Sequence, residues 1–147
     1  TNDAPSTITR LQNMGTPDYL ISAATQLVLA QRLARRSCKD CRVPDEDVTP
    51  KVLTDLGFSP ELASRVKALK GKGCPKCKDS GYKGRQGIYE ILVVSKPVKE
   101  AILRKATTPE IREIAVKEGF QTLQDMGRRL IANGELNFRE YERVLSS

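Results

Sequence analysis

Histidine and tryptophan are both missing from this 147-residue chain, and aromatic residues make up only 5% of it, so a core has to be built from Leu, Ile, Val and Ala. Without His there is no Ser–His or Cys–His pair to activate a nucleophile. Nor is there an imidazole to leave one position open on a catalytic metal. No Gly-x-x-x-x-Gly-Lys-Ser/Thr loop occurs, so nothing here cradles a phosphate and self-contained enzymatic activity is not expected. The carboxylates fall at helical spacing and read as solvated surface. No apolar run approaches the roughly 18 residues that span a bilayer. Thr1-Asn2-Asp3 shows no basic-then-apolar leader pattern and no initiating Met, so the chain reads as a piece of a longer protein. A chain of this size buries only about two-thirds of its unfolded surface. Two small units made from it would each need a staple.

The staple is visible. Cys38-Lys-Asp-Cys41 and Cys74-Pro-Lys-Cys77 are two Cys-x-x-Cys pairs, and they hold every cysteine in the chain. A two-residue gap lets one tight turn present two sulfurs to one ion, and two such turns complete a tetrahedral thiolate shell. Structural Zn(II) on Cys38, Cys41, Cys74 and Cys77 is the reading these spacings support. The stretch between the pairs is longer than in a compact zinc ribbon and has to carry helices of its own. The other chemistries fit less well. Disulfides need an oxidising compartment, a redox pair needs a βαβ setting that neither motif has, and nothing favours an iron–sulfur cluster over zinc.

The formal charge of +7 invites a polyanion partner. Much of it lies beside the cysteines, at Arg35, Arg36, Lys39 and Arg42 and again at Lys70, Lys72, Lys76, Lys78 and Lys83. A zinc tetrathiolate is itself a net anion, and nearby cations stabilise it. The metal therefore accounts for part of the excess. A zinc-ribbon-like nucleic-acid-binding module is the competing function. It requires aromatics interleaved with the basic residues, and only Tyr82 and Tyr89 near Lys83 and Arg85 qualify. Nucleic acid is not the expected partner.

Three segments follow, 1–36, 37–94 and 95–147. In the first, Ser6 or Thr7 caps a helix ending at Gly15, and Pro17 opens a second helix to about Ala24. Leu27–Leu33 reads equally as strand or helix. In the second, Thr49-Pro50 and Ser59-Pro60 start helices over Lys51–Leu56 and Pro60–Leu69. Glycines then punctuate two short extended pieces, Tyr82–Arg85 and Ile88–Val94, which suggest a small hairpin or edge strand beside the metal. In the third, four short amphipathic helices begin after Ser95, Thr108, Thr122 and Asn137, the last with Glu140 at capping-box spacing. Too short to stand alone, they are expected to pack as a bundle.

These motifs, in this order, resemble the secretion ATPase superfamily of type IV pilus assembly and type II secretion ATPases. The resemblance rests on Thr1–Ala4, Ile8–Leu11 with Met14-Gly15, Ala30–Arg36, the two cysteine pairs and Gly81–Glu90, and it runs along essentially the whole chain. It implies a mainly α fold with short β elements. Residues 1–36 would form the truncated edge of a RecA-like ATPase core, 37–94 a tetracysteine zinc-binding subdomain and 95–147 a C-terminal helical subdomain. It makes Leu27–Leu33 a strand and sets Thr1, Asn2 and Asp3 at the border of a nucleotide site. It implies a cytoplasmic hexamer peripheral to the inner membrane. In that hexamer ATP and Mg are used by the longer parent, and the partners are neighbouring subunits and an inner-membrane platform protein. The role left to this chain is structural and coupling.

Overall fold

A computed structural model describes residues 3–146. The chain runs through α1 (Ala4–Asn13), α2 (Asp18–Ala24), β1 (Leu27–Ser37), β2 (Arg42–Pro44), α3 (Pro50–Leu56), α4 (Pro60–Arg65) and β3 (Leu69–Gly71). A 3-10 turn at Pro75–Cys77 leads to β4 (Tyr82–Val93), then α5 (Lys96–Leu103), α6 (Thr108–Lys117), α7 (Leu123–Ala132) and α8 (Phe138–Leu145). β1 pairs with β4, and β2 pairs antiparallel with β3, Val43 opposite Lys70. The architecture is mixed α/β. With β1 at 11 residues and β4 at 12, its strands are longer than the sequence suggests.

Two compact units divide the chain. One comprises residues up to 31 and 89–123, the other 32–88 and 124 onward. The helices after residue 95 are therefore shared: α5 and α6 belong to the first unit, while α8 and α7 beyond Leu123 belong to the second.

In the first unit, α1 starts at Asp3 rather than at Ser6 or Thr7. The Asp3 carboxylate accepts the Ser6 N–H at 2.8 Å, and the Ser6 hydroxyl donates back to the Asp3 carbonyl. Carboxylates are as strong at this position as hydroxyls, and Pro5 already fits the first turn. Ile8, Ile21, Leu92, Val98, Ile102 and Ile111 make the core. Each fully buried side chain of this kind contributes about 1.5–3 kcal/mol. The sheet shows the unit one apolar face, Leu92 and Val94 with Val28 and Ala30. Its other face is apolar as well, and about half exposed: Leu27, Leu29, Tyr89, Ile91 and Val93 are 42–62% exposed. Glu90 turns inward among these alternating residues. It is 3% exposed, and its carboxylate accepts the Ala4 N–H at 2.5 Å and the Leu123 N–H at 2.8 Å. One buried anion thus terminates the starts of α1 and α7, where unpaired N–H groups carry partial positive charge.

The second unit departs from expectation twice. α4 stops at Arg65, because Val66 adopts extended backbone and the chain enters β3. The Ala68 carbonyl accepts the Asp45 N–H at 2.8 Å, so strand pairing overrides a weak helical pattern. The two extended pieces expected at Tyr82–Arg85 and Ile88–Val94 are one strand, Tyr82–Val93, which runs on through Gln86 and Gly87 and carries Gly84 at φ +82. It pairs with β1 instead of folding back into a hairpin. Gly127, in mid-helix α7, sits where a Cβ would lie 2.5 Å from Leu145 and 2.7 Å from Tyr141. The missing side chain lets α8 dock closely, which outweighs the roughly 1 kcal/mol that Gly costs a helix relative to Ala.

Candidate metal centre

Each cysteine pair sits on a turn formed by its own backbone. The Cys41 N–H reaches the Cys38 carbonyl, and the Cys77 N–H reaches the Cys74 carbonyl at 3.2 Å. Lys78 and Asp79 then turn the chain with φ of 54° and 60°. The turns interlock: the Cys38 N–H donates to the Gly81 carbonyl at 2.9 Å, and the Lys72 N–H to the Cys41 carbonyl at 2.9 Å.

All four sulfurs lie within 4.8 Å of one another. Cys38 and Cys74 are 3.8 Å apart, Cys41 and Cys77 3.9 Å, and Cys74 and Cys77 3.7 Å. A disulfide needs about 2.05 Å, so none of these pairs is bonded. A tetrahedral ion with metal–sulfur bonds of about 2.3 Å sets its sulfurs about 3.8 Å apart. The cluster has that spacing and could hold a metal ion. The donors around it suit anions: Gly73 N–H on Cys41 Sγ, and Cys74 and Gly81 N–H on Cys77 Sγ, each at 3.3 Å.

These donors split the thiols. Burial works against a Cys77 thiolate, yet the N–H groups of Cys74 and Gly81 and the neighbouring Cys74 and Cys41 sulfurs draw its pKa down to about 6. The Gly73 N–H pulls Cys41 the same way, but desolvation and the three other sulfurs outweigh it and push Cys41 up to about 11. The N–H donors thus favour the thiolate form at Cys77, and a divalent ion that binds thiolates displaces protons as it does so. Three of the expected balancing cations are already paired with carboxylates: Lys76 lies 3.6 Å from Asp40, Lys70 3.9 Å from Asp45 and Arg35 2.9 Å from Glu140.

The four cysteines singled out from spacing come together. Thr1 and Asn2 lie outside the described residues. Asp3 caps α1 and receives the Arg112 guanidinium at 2.5 Å. Burial opposes its charge, but Ser6 and Arg112 hold its carboxyl below the usual range. Tyr82 is engaged with its own unit: the Arg35 guanidinium lies 4.1 Å over its ring, and its hydroxyl accepts from Asn137 at 3.0 Å.

Spacing did not reveal a buried carboxylate in the same unit. Glu140 is fully buried, and it does not turn back to cap α8 as its spacing from Asn137 suggests. It accepts the Arg35 N–H at 2.6 Å and the guanidinium groups of Arg35 and Arg143 at 2.9 and 2.6 Å. Burial raises its pKa, but Arg143 and Arg35 prevail and bring it from 4.5 to about 2. A depressed carboxyl pKa stabilises the fold above the unfolded value and loses that stabilisation as pH falls through the folded one. Glu140 should therefore contribute its full share above pH 4.5 and lose it toward pH 2. Both arginines are half exposed, so the share is roughly 1–3 kcal/mol. Acid titration of denaturant midpoints should show this slope in the wild type and a flatter one in Glu140→Gln.

Two Cys-x-x-Cys turns that bring four sulfurs together, in a chain without His, define a mixed α/β protein with a four-cysteine cluster that could hold a metal ion. Comparison with known proteins narrows the class: the chain belongs to the family described as Type II/IV secretion system protein, which it matches over residues 1–143. It is 38% identical over 140 residues to the type IV pilus assembly ATPase PilB of Myxococcus xanthus, covering 95% of this chain and 25% of that protein. It is 44% identical over 130 residues to PilB of Thermus thermophilus, covering 86% and 14%. Against the type II secretion system ATPase E of Vibrio cholerae it is 37% identical over 143 residues, covering 87% and 28%. The chain thus spans about a quarter or less of the first two relatives. No helix among the described residues is long and apolar enough to cross a membrane.

Proposed function

We propose that this chain is the C-terminal structural and coupling region of a hexameric traffic ATPase that powers pilus assembly or type II secretion. The observation that carries the reading is the convergence of four sulfurs in a chain that aligns almost end to end with such ATPases. Cys38, Cys41, Cys74 and Cys77 hold Zn(II), which supplies no reaction step and ties the polypeptide around residues 38–41 to that around 74–77. All-thiolate tetrahedral donor sets suit zinc.

In this reading residues 1–36 form the edge of a RecA-like core, 37–94 the zinc-binding subdomain and 95–147 the helical coupling region. Asp3 borders the nucleotide site of the longer protein, which uses ATP and Mg, and this chain alone does not hydrolyse ATP. Its partners are neighbouring subunits and an inner-membrane platform protein, at the cytoplasmic side of that membrane. The half-exposed apolar sheet face of the first unit supports the core-edge assignment. Sheets that are apolar on both faces are those covered on both. The occupant we assign to Leu27, Leu29, Ile91 and Val93 is the remainder of the longer protein, about three-quarters of its length by comparison with the first relative.

Two measurements test the reading. A longer parent carrying Cys74→Ser should lose pilus or secretion output; one that kept both ring assembly and output would overturn it. Titration with single- and double-stranded nucleic acid at low salt should show no binding, whereas salt-dependent binding would restore the zinc-ribbon alternative.

A further inference from the structure

We propose that α8 is a positioning element of the four-cysteine centre, with Glu140 and Asn137 fixing Arg35 and Tyr82 and, through them, the backbone that carries Cys38 and presents donors to Cys77. This rests on the metal reading above and adds Asn137 and Glu140, both distant in sequence from any ligand.

Two routes run from α8 to the sulfurs within one unit. On the first, the Glu140 carboxylate takes both the backbone N–H and the guanidinium of Arg35. It thereby clamps β1 three residues before Cys38. On the second, Asn137 donates to the Tyr82 hydroxyl at 3.0 Å, and Arg35 covers the Tyr82 ring. Tyr82 follows Gly81, whose N–H meets Cys77 Sγ and whose carbonyl receives the Cys38 N–H. Arg35 joins the routes, since it touches both Glu140 and Tyr82. Asn137 also caps α8 by accepting the Glu140 N–H at 2.7 Å. The helix start and the centre therefore share one polar network. Outer groups that orient metal ligands typically change affinity 10- to 100-fold when removed. Coupling of this kind is reciprocal, so loading the metal should also tighten α8.

The test uses cobalt(II) as probe in the whole 147-residue chain. Its absorption reports tetrahedral thiolate geometry, and competition with a chelator reports affinity. Glu140→Gln is expected to lower affinity roughly 10- to 100-fold and to perturb the cobalt spectrum. Tyr82→Phe and Asn137→Ser should each lower affinity, and the double variant no more than the larger single, because Asn137 acts through Tyr82. Ser keeps the helix cap while losing the amide donor. Glu90→Gln, a buried carboxylate of the other unit, should leave affinity unchanged. If the wild type takes up no cobalt with thiolate bands, the metal reading itself falls. If the wild type binds but Glu140→Gln matches it, or Glu90→Gln loses as much as Glu140→Gln, the positioning role is overturned.

Discussion

Replacing Cys74 by Ser is expected to abolish metal uptake and to unfold the unit formed by residues 32–88 and 124 onward. The β2 and β3 strands have three residues each, and α3 and α4 have seven and six. None of these is long enough to persist without tertiary support. The four cysteines bring their chain segments together, and binding of a structural zinc ion contributes on the order of 10 kcal/mol to folding. That is comparable to the whole stability of a domain of this size. The first unit's core, Ile8, Ile102, Ile111 and their neighbours, contains no cysteine. Hydrogen exchange should therefore show amides of β2, β3 and the 74–81 turn losing protection while those of α1, α5 and α6 keep theirs. Chelation of the wild type should reproduce the pattern. Unchanged circular dichroism and melting temperature in Cys74→Ser would count against the staple.

Local chemistry was the most legible part of the fold. Pro50, Pro60 and Pro97 each open a helix, Thr49, Ser59 and Asn137 cap one through the side chain, and the four cysteines converge as their spacing demands. These signals are written within a few residues of where they act. Val66–Leu69 is not the helix end its local pattern suggests, because its outcome depends on a partner strand more than twenty residues earlier. The break expected between Arg85 and Ile88 does not occur, since nothing local shows that β1 pairs with the strand that runs through it.

The support around the sulfurs was less legible still. Glu140 carries a spacing that fits a local capping box, yet its partner is Arg35, 105 positions away. Glu90 lies in an alternating strand whose inward positions are otherwise apolar, and only the arrival of two helix starts makes a carboxylate stable there. Gly71 and Gly73 act on the centre directly: Gly73 supplies an N–H to Cys41 Sγ, and Gly71 faces the backbone of Gly81.

Gly71→Ala is accordingly expected to damage the centre more than any other single methyl group added at a glycine. A Cβ at Gly71 would lie 2.0 Å from the Gly81 carbonyl oxygen, 2.6 Å from its carbonyl carbon and 2.7 Å from its Cα. All three are backbone atoms, so no rotamer can relieve the contact. Neither strand is free to retreat: Gly71 is paired with Arg42, while Gly81 is held through Cys38 and the Cys77 sulfur. Overpacking a side-chain core costs about 1–3 kcal/mol, and a clash between two anchored backbones should reach or exceed the top of that range. The lost free energy should appear as weaker metal retention together with a lower melting temperature. Gly84 provides the contrast. Its φ of +82 disfavours Ala, but nothing lies within 4 Å of the added Cβ. Gly84→Ala should cost about 1 kcal/mol from backbone strain alone and leave metal affinity intact. Equal metal affinities in the two variants would show that the Gly71–Gly81 approach does not hold the sulfurs in place.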